Sequence, residues 1–259
     1  MYRVKSNAVW HSLPGVVAAY QPIAAPDPFA ARQSVAHNGA RCGVYTAVPS
    51  VAPTWGAARG WGFTAASTQY LRTEIIPADA WSVLLRIANA TNSTQIPFGV
   101  AKTGSPSGGF YLIPCNGGTN IQYANGTYIN SAITKTPQLQ TGVLGFSAKS
   151  AYRNGVNEAT IPSGAGAYGA FGIFIGAANV DGSPLYYFTG SIPAALIVSR
   201  TLSPAEMWLA SRQMAYCDVN PDWNAWSRKR HYYYAPQAAA AFNPAWARNT
   251  NTLLGGGFD

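Results

Sequence analysis

Two antiparallel sheets packed face to face, with one short helix near the end, is the fold class that this chain of 259 residues predicts. Three observations carry it. Short runs of β-branched and aromatic residues recur along the first 217 positions, punctuated by Gly, Pro, Asn and Ser clusters such as TGSPSGG and PSGAGAYG. Almost nothing between them has a helical period. The exception is Phe188 to Glu206, FTGSIPAALIVSRTLSPAE, where an apolar strand passes through one short turn directly into a capped helix.

In chain order, the pattern predicts strands near Gly15 to Tyr20, Tyr70 to Ile75, Trp81 to Ile87, Phe98 to Ala101 and Phe110 to Pro114. Further strands are predicted near Ile121 to Ala124, Thr127 to Ile133, Val143 to Tyr152, Gly172 to Gly176 and Tyr187 to Ser199. Pro22 to Trp61 is less periodic, with PDPF and SVAPTW as loop signals, and is expected to wrap one edge. Asn154-Gly155 reads as a two-residue type I′ turn, because both residues tolerate the positive φ it requires. Ala194 to Val198 has the length and branching of a strand covered on both faces. Ser203 follows as N-cap, Pro204 takes the first helical position and Glu206 completes a capping box. The helix is expected from about Pro204 to Tyr216, with Met207, Leu209, Ala210 and Met214 near one face, so that it packs on a sheet.

Phe188, Gly190, Ile192, Leu202, Ser203 and Glu206 resemble the closing strand and short helix of laminin-G-like domains in the concanavalin A-like lectin and glucanase superfamily. Two other stretches resemble the same family in the expected order. One is GWGFTAASTQYLRTEIIPADAWSVLLRI, with Phe63, Tyr70-Leu71 and the strand from Trp81 to Ile87; the other is SAYRNGVNE, with Tyr152 ending a strand before the Asn-Gly turn. The likeness runs from Val16 to Tyr216. It implies an all-β, concanavalin A-like antiparallel β-sandwich (jelly roll) over residues 1–217, including the N-terminal wrap, followed by one short helix and an aromatic arm over 218–259.

Composition narrows the setting. Hydrophobic residues make up 48% of the chain and supply ample core, whereas charged residues make up only 10%, against about 25% in an average soluble domain. Such a surface is covered by Ser, Thr, Asn, Gln, Gly and Tyr, as in extracellular and virion proteins. The net charge of +8 is spread out: residues 1–217 hold 13 basic and 6 acidic residues. Only Arg228-Lys229-Arg230-His231 approaches a basic stripe, so no nucleic-acid partner is expected. Cys42, Cys115 and Cys217 are too far apart for a zinc or redox pair. The first residues show no signal-peptide core, and no run of about 20 apolar residues exists, so no membrane insertion is expected. Together these features suggest synthesis in a host bacterial cytoplasm and assembly into a bacteriophage virion.

After Cys217 the chain carries Trp223, Trp226, Tyr232, Tyr233, Tyr234 and Trp246 without a period that could close a core. It is too aromatic for a disordered tail. Those rings must be buried either on the chain's own sandwich or on a neighbouring subunit. With Arg228 and Arg230, they form the expected subunit interface, with other virion proteins and further copies of the chain as partners.

No catalysis is expected. Glucanases of the superfamily place carboxylates two and four residues apart on one strand. Among the acids of this chain, only Asp218 and Asp222 have such a spacing, and they lie beyond the sandwich across a Pro. Asp181 in NVDGSP is the one loop acid of a calcium-ligand kind, and it reads first as a turn residue. No cofactor or metal is expected. His11, His37 and His231 are scattered, no G-x-S-x-G occurs, and GWG and GGG lack the context of a phosphate loop. Asn89, Asn92 and Asn125 head N-glycosylation sequons, which matter only in a eukaryotic secretory route. Tyr111, Asn116, Asn120, Tyr123, Asn125 and Tyr128 lie in a Tyr- and Asn-rich stretch that suits a host surface glycan, although tyrosines alternating across strands read first as half-buried sheet residues. The reading is a non-enzymatic bacteriophage structural protein, a capsid decoration or tail-associated protein attached through its arm. The alternative is a virion glycan- or receptor-binding lectin-like module, and a third class is an unrecognised glycan hydrolase.

Overall fold

A computed structural model describes residues 10–23, 25, 27–34, 45–103, 108–127, 132–162 and 168–216. The chain divides into two compact units, Met1–Val219 and Asn220–Asp259, and every described residue belongs to the first. The strands are β1 (Val16–Tyr20), β2 (Val48–Val51), β3 (Thr54–Gly56), β4 (Gly60–Phe63), β5 (Tyr70–Arg72), β6 (Ser82–Ala88), β7 (Phe98–Lys102), β8 (Gly108–Asn116) and β9 (Asn120–Thr127). They continue with β10 (Ile133–Lys135), β11 (Gly142–Ser147), β12 (Ser150–Arg153), β13 (Val156–Thr160), β14 (Phe174–Ile175), β15 (Ala178–Val180), β16 (Ser183–Leu185) and β17 (Gly190–Val198), before helix α1 (Pro204–Tyr216).

They form two sheets. The first has the order β13-β12-β11-β6-β17-β4-β3, with β1 also on β17; the second runs β10-β9-β8-β7-β14-β5-β2, with the β15–β16 hairpin attached through β7. All pairings are antiparallel apart from β15 with β7. Strand β17 centres the first sheet. One of its edges pairs with β6, while the other is shared end to end by β4, at Gly190 to Ile192, and β1, at Ala195 to Val198.

Alternation then builds the core. Val83, Leu85 and Ile87 of β6, Leu144 and Phe146 of β11, and Ala195 and Ile197 of β17 meet Phe98, Val100, Phe110, Leu112, Ile121 and Tyr123 of the second sheet in one buried cluster. Phe110 sits edge-on to Phe146 across the layer, with ring centroids 4.8 Å apart. The opposite face of the first sheet carries Leu84 and Val143, also buried, and α1 packs there against β6, β11 and β13. This is the all-β sandwich with one short C-terminal helix that the sequence predicts.

The helix begins as expected. Ser203 N donates to Glu206 Oε2 at 2.8 Å and Glu206 N to Ser203 Oγ at 3.3 Å, closing the capping box. Met207, Ala210, Ser211 and Met214 are buried at i, i+3, i+4 and i+7, while Leu209 is only half-buried. Below the helix start, Leu202 N donates to Ser82 Oγ at 3.0 Å and to Ser147 Oγ at 2.8 Å, pinning the turn to the ends of β6 and β11.

Three expectations need correction. The predicted strand from Val143 to Tyr152 is two strands, because Ala148 adopts φ +47 and Ala148-Lys149 turns the chain into a hairpin. Pro22 to Trp61 wraps not one edge but two: it supplies β3 at the edge of the first sheet and β2 at the edge of the second. The last strand starts at Gly190 rather than Tyr187. Residues 128–131, in the predicted strand from Thr127 to Ile133, and the arm lie outside the described residues.

Candidate functional site

One end of the sandwich is assembled from four connections that share hydrogen bonds. They are the β6–β7 loop (89–97), the β8–β9 turn with its flanks (116–122), the β10–β11 loop (136–141) and the segment leading into β17 (186–191). Thr91 N donates to Thr189 O at 3.2 Å, Ile96 N to Tyr186 O at 2.9 Å and Ala90 N to Gln140 O at 3.0 Å. Thr189 N donates to Gln95 Oε1 at 2.8 Å. Thr94 joins the turn, since its Oγ1 donates to Asn116 Oδ1 at 3.1 Å and accepts from Gly117 N at 3.0 Å. Gln138 N donates to Thr119 O at 2.8 Å.

At the centre, Asn92 Oδ1 accepts from Gln138 Nε2 at 2.7 Å and from Gln140 Nε2 at 2.5 Å. A single amide oxygen therefore fixes two further amide planes. Gln138 Oε1 is buried and takes no hydrogen bond. Thr91, Asn92, Thr94 and Gln140 are exposed. None of the four segments contains Asp, Glu, Lys or Arg. Arg153 borders this end, donating to Thr136 O at 3.4 Å, but it is paired with Glu158 at 2.8 Å.

The segment leading into β17 begins with an exposed aromatic residue. Tyr186 is 53% exposed and has φ +56, a left-handed conformation that is a genuine outlier for a bulky residue. Burial, followed by the proximity of Tyr186, pushes the Tyr111 phenol up from its ordinary pKa. Next to it, Tyr187 packs on Tyr70 at 6.3 Å, and Tyr70 packs on Phe174 at 4.9 Å.

Of the residues singled out from sequence for a glycan, Asn116 and Asn120 belong to this end. Tyr111 and Tyr123 are 2% and 0% exposed, so neither offers a ring face to a ligand, in keeping with their use as sheet residues. The Tyr123 hydroxyl donates to Glu158 Oε1 at 2.5 Å, with Tyr152 O at 3.2 Å. Tyr128 and the arm residues Trp223, Trp226, Arg228, Arg230, Tyr232, Tyr233, Tyr234 and Trp246 lie outside the described residues. Gln138, Gln140 and Tyr186 are not marked by the sequence, and Asn92 only as a sequon residue; each sits in a polar or turn-like stretch, and nothing in one sequence says that those stretches converge. Two sequon residues, Asn89 and Asn92, are exposed at this end, whereas Asn125 is buried and donates to Asp79 O at 3.0 Å and Ala148 O at 2.6 Å.

Five of the six acids before position 217, all but Glu74, are engaged elsewhere. Asp27 accepts from Ala30 N at 2.7 Å and Asp79 from the Tyr168 hydroxyl at 2.6 Å. Glu206 is held by Arg200 at 2.6 Å. Asp181 occupies the β15–β16 turn with φ +50 and binds Thr103 through both its backbone N–H and its hydroxyl, the turn role expected of it. Those bonds hold its carboxyl below the usual range. No group of three His, Cys, Asp or Glu side chains is placed to hold a metal ion among the described residues. Nor is any helix among them long and apolar enough to cross a membrane.

No family model matches the chain, and no curated protein matches it. Solved structures do match. Trypanosoma rangeli sialidase in complex with 2,3-difluoro-KDN superposes with a TM-score of 0.51 at 12% identity, over 81% of this chain and 34% of that one. The Ruminococcus gnavus IT-sialidase CBM40 bound to α2,3 sialyllactose gives a TM-score of 0.41 at 15% identity, over 52% of this chain and 83% of that one. NanB sialidase from Streptococcus pneumoniae gives 0.42 at 15% identity, over 61% of this chain and 28% of that one. At such identities the likeness concerns the fold. The chain spans about a third of the trypanosomal sialidase it matches.

Proposed function

We propose that the protein is a non-enzymatic, lectin-like glycan-recognition module that uses the charge-poor end of its sandwich, and that it works on a bacteriophage particle. The observation that carries the reading is an end built from four hydrogen-bonded connections that contain no Asp, Glu, Lys or Arg, one of which begins with the exposed Tyr186. Sugars need an aromatic face for their C–H surface and neutral donor–acceptor groups for their hydroxyls. The trypanosomal sialidase of similar fold is itself complexed with a sugar-acid derivative, which makes a glycan a reasonable first ligand class to test. The particle setting rests on sequence: a 10% charged chain followed by an aromatic arm. In this reading the arm attaches the sandwich to other virion proteins or to further copies of the chain, and the loops face the host surface.

A glycan array probed with the full chain tests the recognition role. The expected result is a discrete set of retained glycans, lost when Tyr186 is replaced by Ala. An array on which nothing is retained contradicts the proposal.

A further inference from the structure

We infer that the ligand of this end is a neutral, hydroxyl-rich glycan held by the Asn92–Gln138–Gln140 amide cluster, without a metal ion and without recognition of a carboxylate or sulfate. The inference rests on the glycan-binding reading and adds the class of sugar.

The hydrogen-bond inventory selects that class. Asn92 Oδ1 is used up by the two glutamine Nε2 groups at 2.7 and 2.5 Å. Asn92 Nδ2 keeps two N–H donors, each glutamine keeps one, and Gln140 Oε1 is an open acceptor on an exposed residue. Fixed amides that donate and accept side by side match vicinal hydroxyls, each of which also donates and accepts. Because the cluster orders itself before any ligand arrives, less side-chain entropy is lost on binding.

Charge excludes the competing classes. A sialic acid carboxylate or a sulfate calls for Arg or Lys, typically in a charge-assisted pair. The four segments contain neither; of the cations at their border, Arg153 is already neutralised by Glu158 and Lys135 closes β10 one residue before the 136–141 loop. Calcium takes six to eight oxygens, with carboxylates prominent among them. None of the acids before position 217 falls in these segments.

The test is an array and titration of the full chain that pairs neutral polysaccharides (glucan, galactan, mannan and N-acetylhexosamine polymers) with sialyllactoses and sulfated glycans. Retention of neutral glycans is expected, with affinity unchanged by EDTA and nearly flat as salt rises from about 0.05 to 0.5 M, since no ion pair is there to be screened. Gln140→Glu, which keeps the shape and adds a charge at an exposed position, is expected to weaken binding by about tenfold or more with an unchanged circular dichroism spectrum. Retention of only the sialylated or sulfated members, or loss of binding in EDTA, overturns this inference and leaves glycan recognition standing. Silence across the whole set overturns both.

Discussion

Tyr186 combines a backbone cost with an exposed ring, and a single substitution separates them. A non-glycine residue in the left-handed region costs on the order of 1–3 kcal/mol, and this one recovers little by burial, being 53% exposed. Tyr186→Gly should therefore hold or raise the Tm while abolishing glycan retention. A fall in both would mean that the ring serves the fold. Glu206 behaves oppositely. Its bidentate pairing with Arg200, joined by the Ser203 bonds, holds its carboxyl at about 2. A carboxylate with a depressed folded-state pKa contributes stability that is fully present above its unfolded value and is lost as pH falls through the folded one. Wild-type stability should thus decline between about pH 4.5 and pH 2, and Glu206→Ala should lower stability by roughly 1–2 kcal/mol at pH 7 and flatten that decline. Urea titrations at several pH values measure both. Glycan affinity, by contrast, should stay constant from about pH 5 to 8, because the four segments hold no carboxylate, imidazole or amine.

Elements were legible where a local rule decides them. The Asn154-Gly155 turn has φ +51 and +81, as its type requires, and joins β12 to β13. A Cβ on Gly155 would also lie 2.9 Å from Trp208 Cα in α1, so Gly155→Ala should destabilise the protein by about 1–2 kcal/mol, readable as a shift in the urea midpoint. The capping box fixed the helix for the same reason: its partners lie three residues apart. Ala148-Lys149 was missed because neither residue advertises a turn; the register of β11 on β12 imposes positive φ on Ala148. Strands β2 and β3 were missed because they are short, mostly exposed edge strands with little apolar alternation.

At the scale of the whole molecule, the sheets are joined by polar as well as apolar contacts. Tyr123 crosses from the second sheet to place its hydroxyl on Glu158 of the first, which also holds Arg153. Tyr123→Phe removes that bridge and should cost about 1–2 kcal/mol without touching the loop end. The candidate site belongs to this scale as well. Asn92, Asn116, Gln140 and Tyr186 come from four connections brought together only by the sandwich. For that reason the sequence pointed to the Tyr-rich strands, where Tyr111 and Tyr123 are buried, and reached the site only through Asn116, Asn120 and the sequon residues Asn89 and Asn92. The most direct test is hydrogen–deuterium exchange of the full chain with and without a retained neutral glycan. Added protection confined to 89–97, 116–122, 136–141 and 186–191 is the predicted result; protection centred on another face of the sandwich would contradict the account.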